Sequence, residues 1–153
     1  MKVGEQKCIP ATRAGEKQKR HIFGGYNWLK DDITWTTTQT KNSASFICFI
    51  EELLIRRYPK GRVVLVMDNA SYHKSASALA ALSLFEHRVM IIWLPPYCSD
   101  LNPIERFWRY LKDLACANKL EDNIDCVVKA AEKIMLKQND PASDLHFHVS
   151  KNL

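Results

Sequence analysis

The chain has 153 residues, 46% hydrophobic and 25% charged, which fits one globular domain with a sizeable core. It holds no run of the ~18 apolar residues that a transmembrane helix needs, and its opening, MKVGEQKCIPATRAG, lacks the apolar stretch of a signal peptide, so a cytoplasmic protein with no membrane contact is expected. The net charge of +5 comes from residues 1–30, where a basic edge around Arg13, Lys17, Lys19 and Arg20 either suits phosphate contact or is a solvated segment.

Residues 21–29 and 33–40 are β-rich and are joined by Lys30, Asp31 and Asp32, which suits a hairpin. Asn42 or Ser43 can cap the helix that follows. Phe46, Phe49, Ile50, Leu53 and Leu54 form its apolar face, and Pro59 and Gly61 stop it. The run VVLVM at 63–67 is apolar without alternation, as in a strand covered on both faces. A helix is predicted over 75–86, and a second buried strand over 89–94, closed by Pro95 and Pro96. Helices at 103–118 and 124–138 follow, and the tail from Asp140 is polar and reads as loose. Five cysteines are spread along the chain with no C-x-x-C, and Cys48 and Cys116 read as small core residues rather than disulfide or zinc partners. The predicted order is β-β-α-β-α-β-α-α. That is an α/β domain with helices flanking a mixed sheet, with the shape of the ribonuclease-H-like fold minus its first strand.

Two segments carry the chemistry. Asp68 directly follows the 63–67 strand, and open α/β sheets place ligand sites at such carboxyl ends. The same Asp can instead open a turn or cap the next helix. Glu105 lies in Asn102-Pro103-Ile104-Glu105, a capping box with Asn102 as N-cap and Pro103 at the first helical position. A capping Glu need only bond back to the Asn102 amide. The helix N-terminus also favours the ionised carboxylate that a metal requires. Ile104, Phe107, Trp108, Leu111 and Leu114 form the core stripe of that helix, with Glu105, Arg109 and Lys112 on another face. Arg109 can pair with Glu105 or meet a DNA phosphate. His73 and Lys74 follow Asp68 closely, and His73 can touch a phosphate, orient water or pack in a turn. Trp93 and Tyr97 can stack on bases, although Trp93 also suits the core. His146 and His148 have the spacing of a metal pair on a strand, but they lie in the polar tail and read as non-ligating residues.

The segments VLVMDNASYHKS and LPPYCSDLNPIERFWRYLK together resemble the DDE-superfamily endonuclease domain of mariner-like transposases, in the bacterial insertion-sequence branch. The resemblance runs from about Arg20 to Lys112, with Gly24-Gly25 matching a family feature, and 36 residues separate Asp68 from Glu105. It implies a ribonuclease-H-like core and cut-and-paste movement of DNA with Mg²⁺ or Mn²⁺. It also makes Asp68 the second catalytic acid and metal ligand and Glu105 the third. DNA would be the partner, at the transposon ends, with Arg13, Lys17, Lys19, Arg20, His73, Lys74, Arg109 and Lys112 as contacts. A homodimer or a full-length transposase would be the protein partner. The family's first acid lies on its first strand, and this chain opens like the segment just after that strand. The family's N-terminal helix-turn-helix region also has no counterpart here.

The sequence therefore reads as a partial transposase catalytic domain over 1–140, followed by a polar tail over 141–153. Two rivals differ in class. One is a non-catalytic DNA-binding or oligomerisation fragment of a transposase, which would bind DNA without metal. The other is an unrelated α/β phosphohydrolase using Asp68, for which DNASYHKS offers no second acid.

Overall fold

The structure, a computed structural model, describes residues 2–11, 18–116, 123–144 and 146–148, with 2–11 and Gln18 through the backbone alone. Its elements are β1 (Lys2–Ala11), β2 (Gln18–Asn27), β3 (Asp32–Thr38), α1 (Ser43–Glu51), β4 (Val63–Met67), α2 (Ala76–Ser83), β5 (Val89–Trp93), α3 (Ile104–Cys116) and α4 (Ile124–Asn139). Strands β1, β2 and β3 form an antiparallel sheet in that order, and β4 and β5 form a parallel pair. β1 runs beside β4, so the two sheets abut.

The sequence reading placed no strand before residue 21, whereas residues 2–11 form one, running from Lys2 opposite Tyr26 to Ala11 opposite Gln18. β3 covers only one edge of β2, and the backbone groups on the other edge need partners, which β1 supplies. The only acid on β1, Glu5, falls in the irregular register between Gly4 and Lys7.

Alternation along β2 divides the core between two helical layers. Ile22 and Tyr26 face α3 and α4, while Phe23 faces Phe46, Phe49 and Tyr72 on the side of α1 and α2. Val63, Leu65 and Met67 of β4 join the second cluster. β5 was expected to be buried on both faces but alternates instead, and Val64 (38%), Met90 (63%) and Ile92 (45%) are exposed. α3 and α4 pack against the β1–β3 sheet, which leaves that face of β4 and β5 open.

Local chemistry explains the element boundaries. The Asn27 side-chain oxygen accepts from the amides of Leu29 (3.1 Å) and Lys30 (3.3 Å), and Asp31 takes a left-handed φ of 53°, which turns β2 into β3. The Asn42 side chain accepts from Ser45 N at 2.9 Å to start α1. α1 then widens into a π-helical turn, Glu52–Arg57, ahead of Pro59, with Tyr58 N donating to Leu53 O at 2.8 Å. Phe46, Phe49, Ile50, Leu53 and Leu54 are all buried as their spacing predicts. Cys48 lies off that stripe and is exposed, so it is not the core residue expected, whereas Cys116 is half-buried and packs against the core at the end of α3. α2 is shorter than predicted, and Leu84 beyond its end is 74% exposed.

The buried stripe of α3 is Ile104, Phe107, Trp108, Leu111 and Ala115. Leu114 was expected in the stripe but is exposed, because the four-residue step from Leu111 lands on Ala115. Trp108 lies directly against Gly24 of β2, where a Cβ would meet its ring at 2.4 Å. Only glycine allows this approach, so the Gly24-Gly25 pair has a packing cause. Part of the tail is pinned rather than loose. Phe147 stacks on Tyr110 at 5.0 Å, and its amide donates to the Gln138 side-chain oxygen at 2.8 Å. No helix among the described residues is long and apolar enough to cross a membrane.

Candidate active site at the carboxyl rim of the sheet

β4 ends on Met67, and the chain turns at once. Asp68 Oδ1 accepts from Ala70 N at 3.1 Å and lies 2.9 Å from His73 Nδ1. A single turn of 3-10 helix, Ser71–His73, brings the histidine back beneath the carboxylate. The Asp68 side chain keeps 13% exposure, while that of His73 has 2%. The end of β4 is tied to the end of β5. Leu94 N donates to Met67 O at 2.8 Å, and the Asn69 side-chain amide donates to Leu94 O. Asp68 is thus held on a rigid rim rather than on a free loop.

The loop from Leu94 to Pro103 carries the chain from that rim into the first turn of α3. Asn102 is buried, and its side-chain oxygen lies 3.5 Å from Ile104 N, as an N-cap requires. Its carbonyl accepts from Glu105 N at 3.0 Å, and its own amide donates to Ser99 O at 2.9 Å. Glu105 is half-buried at the positive end of α3, where the helix dipole favours its ionised form. Among the described residues no three His, Cys, Asp or Glu side chains converge as a complete metal site. Asp68 and Glu105 each offer the hard carboxylate oxygens that a divalent cation takes, with water and a phosphodiester as its other ligands.

The basic residues divide. Lys74 lies over the Trp93 ring, its ammonium 4.6 Å from the centroid. Arg109 and Lys112 are exposed on α3, and Lys19 is exposed on β2. Arg20 instead pairs with Asp125 of α4 at 3.3 Å. His73 is too deeply buried to present itself to a phosphate and meets Asp68 instead. Arg13 and Lys17 lie outside the described residues. Tyr97 is fully exposed in the loop at a left-handed φ of 60°, whereas Trp93 packs partly into the core. His148 Nδ1 meets Asp31 Oδ2 at 2.6 Å, a contact that fastens the tail to the hairpin turn.

The sequence reading missed Lys41 and His21. The Lys41 ammonium lies 5.2 Å from the centroid of the Tyr72 ring, next to His73. Burial, then Lys41, then Lys19 push the His21 imidazole below its ordinary value. No motif announces Lys41, which reads as an ordinary residue ahead of a helix cap.

The architecture is that of ribonuclease-H-like catalytic domains. Residues 1–126 match the family described as DDE superfamily endonuclease, and the chain belongs to that family. It is 25% identical over 115 residues to the insertion element IS630 uncharacterized 39 kDa protein of Shigella sonnei, covering 75% of this chain and 33% of that protein. It thus spans about a third of that relative's length. The fold is similar to the Mos1 transposase catalytic domain solved with raltegravir and Mn, at a TM-score of 0.74, 19% identity, and 97% of this chain against 74% of that one. It is also similar to the Mos1 transposase paired-end complex with left transposon end, at a TM-score of 0.54, 16% identity, and 90% of this chain against 53% of that one. Family membership leaves the unrelated phosphohydrolase reading without support.

Proposed function

We propose that this chain is catalytic-domain material of an insertion-sequence transposase, acting on DNA at transposon ends in the cytoplasm, with Asp68 and Glu105 holding Mg²⁺ or Mn²⁺. The observation that carries this reading is the rim itself. An ordered carboxylate ends β4, and the loop that leaves the neighbouring strand β5 leads to a second carboxylate at a helix N-terminus. When bound, the divalent cation activates water or a 3′-hydroxyl and stabilises the leaving oxygen. The protein's own part is to fix Asp68 through Ala70 N and His73, and to keep Glu105 ionised at the start of α3. Lys19, Lys41, Lys74, Arg109 and Lys112 supply cations for the phosphate backbone. A homodimer or a full-length transposase would complete the assembly.

The test is nicking of supercoiled plasmid by the purified chain. Weak nicking that needs Mn²⁺ and stops with EDTA supports the reading. Salt-sensitive DNA binding without metal-dependent nicking, even when a longer transposase chain is added, would favour the non-catalytic DNA-binding fragment.

His21 gives a pH signature. Its folded-state value is depressed, so the free protein holds it neutral near pH 7. A phosphate brought beside it raises that value, and the complex then takes up a proton. DNA affinity, read by fluorescence anisotropy at low salt, should therefore strengthen as pH falls from about 7.5 to 6 across the ordinary histidine range. His21→Asn should flatten that rise. An unchanged profile in the variant would remove His21 from the DNA path.

A further inference from the structure

We infer that His73 is the positioning residue for Asp68, and that it fixes the orientation in which the carboxylate meets a divalent cation. The inference rests on the proposed metal role of Asp68. His73 Nδ1 lies 2.9 Å from Asp68 Oδ1 and 3.3 Å from the Asp68 carbonyl oxygen. Both neighbours are acceptors, so the neutral imidazole carries its proton on Nδ1 and donates it. The ring cannot turn away. Its centroid lies 4.5 Å from that of Phe46 and 4.5 Å from that of Tyr72, two rings that themselves meet at 6.3 Å and close off adjacent sides of the imidazole. Its backbone amide donates to Ala70 O at 3.0 Å, in the same turn whose Ala70 amide reaches Asp68 Oδ1.

Oδ1 of Asp68 therefore takes two N–H donors from a five-residue turn, one of them on a ring locked into the core. Hydrogen bonds of this kind orient ligating carboxylates, and losing one commonly weakens metal affinity or activity about 10–100-fold. Burial alone would not select this residue type, since a leucine would fill the space beside Phe46 and Tyr72 without a donor.

Two substitutions separate positioning from packing. In His73→Asn the side-chain amide nitrogen stands where Nδ1 stood and keeps the donor, but loses most of the ring contact. His73→Leu keeps apolar packing and loses the donor. Mn²⁺ binding would be followed by electron paramagnetic resonance, and thermal unfolding by circular dichroism. His73→Leu should bind Mn²⁺ about 10–100-fold more weakly than wild type, and His73→Asn should recover most of that loss while being the less stable of the two. Affinity and stability should thus rank the variants in opposite orders. A His73→Leu variant that binds as wild type does, or an affinity order that follows stability, overturns the inference. So does the absence of a downfield His73 Nδ1–H proton resonance that disappears in Asp68→Ala. If the wild type binds no Mn²⁺, or Asp68→Ala binds it equally well, the metal reading of Asp68 fails and the inference falls with it. Failure of His73 alone leaves that reading standing.

Discussion

Trp108→Ala is expected to destabilise the protein by about 3–5 kcal/mol, the range for truncating a large buried aromatic. Against a typical total of about 5–15 kcal/mol, that is a large fraction. Trp108 is the largest fully buried side chain in the fold. It joins α3 to β2 by lying against Gly24, so its loss opens a void between a helix and a sheet that cannot close without moving the backbone. Gly24→Ala should cost about 1–3 kcal/mol alone, because the new Cβ collides with a ring that has nowhere to go. In the Trp108→Ala background the same methyl meets empty space. The double variant should therefore be clearly more stable than the sum of the two losses predicts. Urea denaturation of the four proteins measures this coupling. Strict additivity would mean that the two residues do not share the contact.

Asp68→Ala and Glu105→Gln are expected to lower Mn²⁺-dependent nicking by on the order of 10³-fold or more, since a cation's charge stabilisation is worth several kcal/mol and each 1.36 kcal/mol is tenfold in rate. The second substitution separates the two readings of Glu105. Glutamine serves a capping box as well as glutamate does, so a residue that only starts the helix should tolerate it. Thermal unfolding should shift little in Glu105→Gln while nicking is lost. Nicking retained by Glu105→Gln would leave Glu105 as a helix cap and nothing more. Nicking retained by Asp68→Ala would remove the site from this rim.

Signals short in sequence were legible, and signals that depend on what packs where were not. The stripe of α1 was readable because a helical period has one structural meaning, and the unbroken run of β4 marked a strand correctly but not its covering, since Val64 is exposed. Asp68 and Glu105 stood out as candidates because each sits at the boundary of such an element. Cys48 and Leu114 misled because an apolar residue near a stripe looks like part of it until the phase of the helix is fixed. β5 looked buried because its sequence is apolar on both faces, yet Met90 and Ile92 depend on whether a distant helix reaches them. The pairing of Arg20 with Asp125 joins residues 105 apart, which no local pattern encodes. Phe147 is a single aromatic in a polar tail, with no period to show that Tyr110 receives it. His73 was ambiguous because its role depends on the tightness of the turn after Asp68, a matter of backbone geometry that DNASYHKS does not spell out.

Anomalous diffraction from crystals soaked in Mn²⁺ would locate the cation itself. A peak is expected at the carboxyl end of β4 in contact with the carboxylates of both Asp68 and Glu105, absent from crystals of Asp68→Ala. A peak elsewhere, or none at this rim at Mn²⁺ concentrations that support nicking, would contradict the proposed site.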